Sequence, residues 1–491
     1  MSRLTELQSN AVRELVQRSP VLVELGERFA AAGHRVHLVG GSVRDALLGR
    51  LGDDLDLTTD AHPEAVQALV GGWAEATWDA GIAFGTVGLQ KNGVRIEVTT
   101  YRAEAYDRTS RKPTVAFGTT LADDLVRRDF ALNAMALALP DWRAPNAFVD
   151  LFGGMQDLAD GVLRTPGRPE DSFDDDPLRM LRAARFASQL GFTVAPEVVA
   201  AMTDRAERIT IVSAERIRGE LEKLLLGAHP RKGLTLLVDT GLAEHVLPEL
   251  PALRLEIDEH HQHKDVYEHT LQVLERSMAL EQDGPDLVLR LAALLHDIGK
   301  PATRRLEPGG GVSFHHHEIK GAHLARRRLQ KLTFGKDVVD AVYLLTELHL
   351  RFHGYGQPET SPWTDAAVRR YVHDAGGQLE RLHQLTRSDC TTRNRRRAAA
   401  LSAAYDDLER RIAVLAEQEE LDRIRPDLDG NAIMELLDLP PGPLVGRAYK
   451  HLLELRMEHG PLGRERAIEA LRAWYAAQAV PAPPARGLPP E

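Results

Sequence analysis

The pattern of hydrophobic and polar residues divides the chain into a mixed first part and a helical second part. Apolar residues recur at helical intervals from residue 4 to 32, with a break at Pro20, and predict a helical lead-in. Helices and strands then mix up to about residue 150, and from Pro177 to about residue 480 helical periodicity dominates. Short apolar or alternating runs predict three or four strands in the mixed part, at 36–39, 54–57, 85–90 and 95–101.

Composition and charge narrow the class of protein. Hydrophobic residues make up 43% of the 491 and charged residues 27%, which is typical of a globular chain of two to four domains. The net charge of −11 excludes a surface coated in basic residues, so nucleic-acid binding would depend on local patches. Cys390 is the single cysteine, and neither a signal peptide nor an apolar run of about 18 residues is present. We expect a cytoplasmic protein without membrane contact, and the oligomeric state stays open.

A glycine pair follows the first predicted strand and precedes a short helix predicted over 43–48. Gly40 and Gly41 allow the backbone to approach a triphosphate closely, while Ser42 and Arg44 supply hydrogen-bond donors for its oxygens. A Gly-Gly turn with a capping serine is also a common structural device. The motif by itself leaves phosphate binding and a simple turn as alternatives.

Two carboxylates on the next predicted strand indicate a metal site. Asp54 and Asp56 are two residues apart, so both side chains point to one face of the strand, where they repel each other unless a cation lies between them. Carboxylates and substrate phosphates are the usual ligands of Mg²⁺, and such a pair can serve a two-metal displacement. Glu97, among apolar neighbours on the strand at 95–101, is the best third ligand, with a solvated or salt-bridged strand residue as the alternative.

These motifs, in this order, resemble the signature of the DNA polymerase β superfamily as found in class II (bacterial-type) CCA-adding enzymes and bacterial poly(A) polymerases. Residues 124–134 are similar to the motif with which that family reads the ribose. The resemblance implies a nucleotidyltransferase head that adds CCA to the 3′ end of tRNA from CTP and ATP, with Mg²⁺ on Asp54 and Asp56. It assigns nucleotide binding to Gly40, Gly41, Ser42, Arg44, Asp45, Arg128, Asp129 and Asn133.

Residues 173–186 resemble the helix that selects the nucleobase in this family. Cytosine and adenine both present an amino donor beside a ring-nitrogen acceptor, so a carboxylate and a guanidinium three residues apart on one helix face, Asp176 and Arg179, can pair with both. Arg182 and Arg185 continue the spacing and are predicted to reach the triphosphate. An exposed helix with arginines placed for solubility is the alternative. The family usually has Glu where this chain has Asp175.

A second set of residues indicates another metal site. His296 and Asp297 end an apolar helical run, and adjacent imidazole and carboxylate ligands suit a divalent transition metal. Further candidates in order along the chain resemble the HD phosphohydrolase superfamily in its fuller, two-metal version. The resemblance implies ligands at His269, His296, Asp297, His317, His349 and Asp389.

Arginine clusters are the candidates for RNA contact outside these motifs. One spans 387–397 and the other spans 326–331, and each has a solvated helical face as an equally good explanation. The stretch 104–118 resembles the family's mobile loop near the primer end, and the helix starting at Ser213 is expected to support the neck.

Together these observations predict an α+β protein with a polymerase-β-like head followed by an all-α neck, an HD domain and a helical tail. A poly(A) polymerase, or an enzyme that adds only CC or only A, is the nearest alternative. An HD phosphohydrolase with an RNA-binding head, or a non-catalytic RNA-binding protein, belongs to another class. The predicted parts are a lead-in (1–33), the head (34–150), the neck (151–250), the HD domain (251–400), a helical tail (401–479) and a disordered proline-rich tail (480–491).

Overall fold

The computed structural model divides the chain into two compact units. The first contains Met1–Pro251 with Lys331–Thr333, and the second contains Ala252–Gln330 with Phe334–Glu491. The predicted disordered tail and most of the predicted mobile loop lie outside the described residues. The structure describes residues 6–50, 54–79, 81–103, 116–254, 265–308, 311–352, 355, 363–390, 394–419 and 425–478.

The first unit is built on a seven-stranded mixed sheet with the strand order β3-β4-β5-β2-β1-β8-β9. Strands β2 and β5 are parallel, and the other neighbours in this sheet are antiparallel. The remaining strands of the unit form two-stranded pairs, β6 with β7 and β10 with β11. The strands are β1 Val36–Val39, β2 Asp54–Thr59, β3 Ala76–Trp78, β4 Thr86–Lys91, β5 Val94–Thr100, β6 Arg102–Ala103, β7 Ala116–Phe117, β8 Met135–Leu139, β9 Phe148–Asp150, β10 Val162–Leu163 and β11 Thr193–Val194.

The prediction of three or four strands was too low, although each predicted strand is present. The strands missed in the main sheet are β3, β8 and β9. Two of them are only three residues long, and β8 is a continuous apolar run, which periodicity cannot distinguish from a buried helix. The α+β class itself is confirmed.

Twelve α-helices accompany this sheet in the described part of the first unit. Helices α1 and α2 bury Leu15, Leu25 and Phe29 in the same hydrophobic cluster as Leu38 and Leu57 of the sheet. The lead-in is therefore part of the head's core. Each fully buried side chain of this kind contributes about 1.5–3 kcal/mol to the stability of the folded state. The helices are α1 Glu6–Arg18, α2 Val21–Ala31, α3 Gly41–Leu47, α4 Pro63–Val70, α5 Leu121–Val126, α6 Gly154–Asp160, α7 Pro169–Asp175, α8 Leu178–Leu190, α9 Pro196–Arg205, α10 Ala214–Leu225, α11 Pro230–Asp239 and α12 Leu242–Val246.

Strand β2 shows how the sheet separates its core from its exposed face. Leu55 and Leu57 are buried, whereas Asp54 and Asp56 alternate with them and are exposed. The apolar residues pack in the cluster that includes α1 and α2, and the aspartates project from the opposite face of the strand. The alternation therefore presents the predicted metal ligands to solvent.

The second unit is mostly helical in its described part and has one short hairpin, β12 Arg305–Leu306 with β13 Val312–Ser313. Helix α20 runs unbroken through residue 400, so no interruption marks the predicted boundary between the HD domain and the tail. Across the described residues of the whole chain, none of the helices combines the length and the apolar character needed to cross a membrane. The helices are α13 Val266–Met278, α14 Leu287–Leu295, α15 Lys300–Thr303, α16 His317–Lys331, α17 Lys336–Leu348, α18 Asp365–Ala375, α19 Leu379–Asp389, α20 Arg395–Glu419, α21 Gly430–Leu437, α22 Pro443–His459 and α23 Arg464–Ala477.

Candidate functional site

The turn after β1 lies against the predicted metal ligands. Gly40 has φ 73° and ψ −140°, a conformation that side-chain-bearing residues rarely adopt. A Cβ atom at Gly40 would lie 3.0 Å from Nη1 of Arg128 and 3.5 Å from Oδ2 of Asp56. Glycine is therefore required here both for its backbone conformation and for the close approach of these two side chains.

Ser42 connects this turn to strand β2. Its hydroxyl donates to the carbonyl oxygen of Asp54 at 3.1 Å and accepts from the backbone N–H of Asp56 at 3.2 Å. The sequence predicted Ser42 as a donor to a triphosphate, whereas in this structure the hydroxyl fixes the strand that bears the two carboxylates.

The three predicted catalytic carboxylates share one exposed face of the sheet. In the parallel ladder of β2 and β5, Asp56 is paired directly with Glu97, and Asp54 is paired with Arg95. Reduced hydration raises the pKa of Asp56, with Arg128 opposing and Asp54 adding to the rise. Reduced hydration and the charge of Asp56 likewise raise the pKa of Glu97. A divalent cation would relieve this repulsion, so the donor set fits a metal.

Residues of the predicted ribose motif form a buried polar network with α3 and α8. Arg44 donates to Asn133 Oδ1 at 2.7 Å and to its neighbour Asp45 at 2.8 Å, and Asn133 donates to Asp129 Oδ1 at 2.9 Å. Arg182 donates through Nε to Asp129 Oδ2 at 2.8 Å. Burial alone would raise the pKa of Asp129, but Arg182 and Asn133 hold it at about 2. The network joins the glycine turn to the neck through ionised, well-paired groups.

Two other predicted nucleotide contacts are also engaged within the protein. Arg128 donates to Asp124 at 3.0 Å. Arg185, predicted to reach the triphosphate, is buried and paired with Glu220 at 3.2 Å, and burial lowers its pKa to about 10. Its guanidinium also lies 4.2 Å from the ring centroid of Phe186. Arg185 therefore supports the packing of the neck in this structure.

The prediction that Asp176 and Arg179 share one helix face is wrong. Helix α7 ends at Asp175, and Asp176 is extended, with φ −141° and ψ 101°, before α8 begins at Leu178. Pro177 explains the break, because a residue that precedes proline is disfavoured in the helical conformation.

Each of the two predicted base-reading side chains has protein partners. Arg179 donates to the carboxylate of Asp175 and to the hydroxyl of Ser172, both at 3.0 Å. The carboxylate of Asp176 accepts from Arg216 of α10 at 2.7 Å. Sequence reasoning missed Arg216, which is 40 residues from Asp176 and has no local motif that points to it.

The six predicted HD residues converge in the second unit. They come from α13, from the ends of α14, α17 and α19, and from the first residue of α16. Two groups within this set have ligand atoms within 4.8 Å of one another, His269 with His296 and Asp297, and Asp297 with His317 and His349. Asp389 lies 2.9 Å from Nε2 of His269. The set can therefore hold two ions that share Asp297.

Three of these histidines are oriented in the same way. The Nδ1 atom of each lies 2.7–2.9 Å from the backbone carbonyl three residues earlier, and a carbonyl can only accept, so Nδ1 carries the proton. Within the part of the chain that the structure describes, their Nε2 atoms are buried and have no hydrogen-bond partner. A lone pair on Nε2 with Nδ1–H bound to a carbonyl is the arrangement of a metal-ligating histidine. These residues are His296, His317 and His349.

The charges in this cluster favour a cation. Burial opposes a charged imidazole at His296, but Asp297 and Asp389 outweigh it and raise the pKa of His296 to about 10, so a metal ion would have to displace a proton from its Nε2 atom. Burial and the charge of His296 lower the pKa of His349 to about 3. Lys300, which the sequence interpretation passed over, donates to Asp297 at 2.8 Å. The carboxylates thus attract positive charge while His349 stays neutral, as a ligand must.

The arginine clusters are partly neutralised by neighbouring acids. Arg387 is paired with Asp406 at 2.8 Å and with Glu409 at 2.9 Å. Arg326 lies 3.7 Å from Asp340 and 3.6 Å from the ring centroid of Tyr343. Both arginines therefore have contacts within their own unit.

Three family models match the chain. The poly A polymerase head domain matches residues 36–164, a probable RNA and SrmB-binding site of polymerase A matches 191–253, and the HD domain matches 266–393. The matches cover the glycine turn, the carboxylates of the head and the six HD residues, and they leave out residues 165–190, which contain Asp176, Arg179, Arg182 and Arg185.

Relatives and a solved structure extend this similarity. The CCA-adding enzyme of Levilactobacillus brevis is 43% identical over 47% of this chain, and the match spans 55% of that enzyme, about half its length. An A-adding tRNA nucleotidyltransferase from Deinococcus radiodurans is 35% identical over 85% of this chain and 91% of its own. The crystal structure of the Bacillus stearothermophilus CCA-adding enzyme in complex with CTP superposes with a TM-score of 0.63 at 26% identity, covering 94% of this chain and 98% of that one.

Proposed function

Because this chain belongs to the family of bacterial-type CCA-adding tRNA nucleotidyltransferases and poly(A) polymerases with an HD domain, we propose that it builds the CCA end of tRNA from CTP and ATP. The observation that carries the proposal is the row of Asp54, Asp56 and Glu97 on one exposed face, beside the Gly40 turn. The relatives named for CCA addition, and the related structure in complex with CTP, support it.

In the mechanism that we propose, Asp54, Asp56 and Glu97 would hold Mg²⁺, and the bound ion would neutralise charge on the phosphates and favour ionisation of the RNA 3′-hydroxyl. That hydroxyl attacks the α-phosphate of the nucleotide, and pyrophosphate leaves on the opposite side. The lack of a side chain at Gly40 lets Arg128 and Asp56 approach the turn at which the triphosphate would bind, and Ser42 keeps the strand of carboxylates in position. Catalysis is then mostly positioning and charge neutralisation.

The buried network is the part of the head that we propose to position the nucleotide. We propose that Asp129 and Asn133 contact the ribose and that Arg44, Asp45 and Arg128 line the phosphate side of the pocket. Their hydrogen bonds hold these side chains in one arrangement, which reduces the cost of ordering them when the nucleotide binds. Arg182 would keep Asp129 ionised.

Base selection is proposed for Asp176 and Arg179, and it requires an exchange of partners. The Asp176 carboxylate is held by Arg216, and Arg179 is held by Asp175 and Ser172. A cytosine or adenine edge would replace these contacts with its amino donor and ring-nitrogen acceptor, whereas uracil and guanine present the reverse pattern. Wrong bases would then leave polar groups unpaired.

One observation favours a second candidate, the addition of A only. A relative from Deinococcus radiodurans that matches along 91% of its own length is named an A-adding tRNA nucleotidyltransferase. Three tRNA transcripts, lacking CCA, ending in C and ending in CC, should be supplied with each nucleoside triphosphate separately and their 3′ ends sequenced.

The expected result is addition of C up to CC on the first two transcripts with CTP, and addition of the final A to the third transcript with ATP. Extension of the CC transcript alone would establish A addition instead. A long run of A with ATP would establish a poly(A) polymerase.

For the second unit we propose a phosphohydrolase site with two divalent transition-metal ions. The three buried Nε2 atoms and the shared Asp297 are the supporting observation. Bound ions would supply a hydroxide nucleophile and polarise a phosphoester. Hydrolysis of a generic phosphomonoester and of a 2′,3′-cyclic nucleotide, measured with Mn²⁺, Co²⁺ or Ni²⁺ in parent protein and in His296→Ala, tests this proposal.

A further inference from the structure

A tryptophan lies in line with the catalytic carboxylates across the sheet. The strand register pairs Asp56 with Glu97, Glu97 with Gly88 and Gly88 with Trp78. Residues that are directly opposite on neighbouring strands share a face, so Trp78 at the edge strand β3 belongs to the same face as the carboxylates. The row is continuous from the metal ligands to the indole.

The indole is folded onto this face. A Cβ atom at Gly88 would lie 1.9 Å from Nε1 of Trp78, so the ring occupies the space that a side chain at Gly88 would need. Trp78 is only half-buried, and the exposed Arg95 has its guanidinium carbon 5.3 Å from the ring centroid. The lack of a side chain at Gly88 therefore gives a flat aromatic surface, and the Arg95 guanidinium that lies over this ring must move aside for a base to stack.

The position of this surface identifies its occupant. The proposed triphosphate pocket lies on the β1 side of Asp56, at Gly40 and Arg128. In-line displacement requires the attacking hydroxyl to come from the side opposite to the leaving pyrophosphate, which is the side of β5, β4 and β3. Two strand spacings separate Asp56 from Gly88, about 10 Å, which is close to the length of one nucleotide from its 3′-oxygen to the far edge of its base.

We propose that Trp78 is a positioning residue that stacks against the 3′-terminal base of the primer RNA, with Arg95 contacting the adjoining phosphate. This inference rests on the proposed function. Stacking suits a primer whose last base is not the same throughout CCA synthesis, because every base has a π-face and stacking tolerates sequence. A hydrogen-bonded site could not accept each successive end equally well.

A cycle of substrates and variants tests the proposal. Parent protein, Trp78→Ala and Trp78→Phe should be assayed with CTP on a tRNA that ends before CCA, and on the same tRNA with an abasic 3′-terminal nucleotide. Trp73→Ala is the matched control, because Trp73 also contacts cations, Arg28 and Lys91, but packs against the core cluster.

In the parent we expect removal of the terminal base to lower kcat/KM for the primer by about 5- to 150-fold. Trp78→Ala should lose a similar factor on the intact primer and little more on the abasic one, with an unchanged Kd for CTP. Trp78→Phe, which keeps a ring over Gly88, should recover most of the loss, and Trp73→Ala should discriminate between the primers like the parent.

The proposal is wrong if the losses in kcat/KM from Trp78→Ala and from removal of the terminal base are additive. It is also wrong if Trp73→Ala shows the same loss as Trp78→Ala. If the effect of Trp78→Ala instead disappears when the penultimate nucleotide is abasic, the assignment to the terminal base is wrong. Failure of the proposed function has a different signature, since the parent would then add no nucleotide to the intact primer.

Discussion

The two candidate sites are built in opposite ways. In the head, the three carboxylates lie on the exposed face of a sheet. They are farther apart than the ligand atoms within each HD group, which all lie within 4.8 Å of one another. In the HD cluster, buried histidines already have their Nδ1 protons committed to backbone carbonyls and their Nε2 atoms directed into the site. With the metal sites that we propose, substrate phosphates would supply ligands at the head site, whereas the protein would supply most of the ligands at the HD site.

This contrast agrees with the chemistry of the two kinds of metal. Mg²⁺ keeps several waters and is held by one or two carboxylates together with substrate phosphates. Transition metals accept imidazole nitrogen, and a catalytic site holds them with several protein ligands while one position stays open for water or substrate. A site that must release a product and bind a new primer end after each addition gains from being open. A site that keeps its ions through many turnovers gains from being buried.

The largest expected effect is loss of the head's carboxylates. Asp54→Ala or Asp56→Ala removes a ligand that stabilises transition-state charge by several kcal/mol, so we expect CTP incorporation to fall by about a thousandfold or more. Binding of tRNA and metal-dependent hydrolysis by the HD unit should remain. Primer-extension kinetics and a filter-binding assay measure these quantities, with the exposed Asp141→Ala as control. Near-normal addition by either variant would contradict the assignment.

The second prediction concerns metal stoichiometry in the HD cluster. Asp297 belongs to both ligand groups, so Asp297→Ala should lose both ions, whereas His296→Ala and His317→Ala should each lose one. We expect affinity for the lost ion to fall by more than 100-fold, since even a supporting partner is worth 10- to 100-fold. Metal analysis after dialysis, with the exposed neighbour His315→Ala as control, measures this. CTP incorporation should not change, and its loss in a folded variant would show that the cluster has a structural role.

The third prediction separates base selection from chemistry. Arg179→Ala removes the hydrogen-bond donor that would meet the ring N–H of uracil or guanine and so disfavour these bases. Each hydrogen bond lost in a desolvated pocket costs about 1–3 kcal/mol, or roughly one to two decades of discrimination between bases. We therefore expect measurable UTP or GTP incorporation on a tRNA that ends before CCA. The exposed Arg168→Ala serves as control. Unchanged preference for CTP and ATP in a four-nucleotide comparison would place base selection elsewhere.

The smallest expected effect is a pH-dependent change in the stability of the head. Burial lowers the pKa of His37 to about 4, and its Nδ1 is 3.1 Å from the hydroxyl of Tyr101. Between about pH 6.5 and pH 4 the unfolded chain therefore binds more protons at this residue than the folded one, so stability falls as pH falls. The loss is about 1 kcal/mol at pH 5.5 and about 3 kcal/mol below pH 4.

His37→Asn should remove this part of the pH dependence, because asparagine does not titrate. Denaturant unfolding at pH 7.5 and pH 5.5 measures the free energy of unfolding of parent and variant. The stability of the variant relative to the parent should be higher at pH 5.5 than at pH 7.5. An equal difference at both values would show that His37 is not held neutral.

Local patterns predicted much of the head. Alternation in β2 depends only on the two-residue repeat of a strand, so the shared face of Asp54 and Asp56 followed from the sequence. The missed strands β3 and β9 are too short to show a repeat. The prediction of one helix through Asp176 is wrong because Pro177 disfavours the helical conformation of the residue that precedes it.

The sequence by itself determined which residues carry chemistry and on which elements most of them lie, because strand alternation and motif spacing are local properties. Only the tertiary structure decided their partners. Glu97 is 41 residues from Asp56 and Asp389 is 120 residues from His269, and strand register and helix packing bring each pair together. Arg216 at Asp176, Glu220 at Arg185 and Trp78 over Gly88 are likewise contacts between segments apart in sequence, since pairing across such distances is set by how the elements pack.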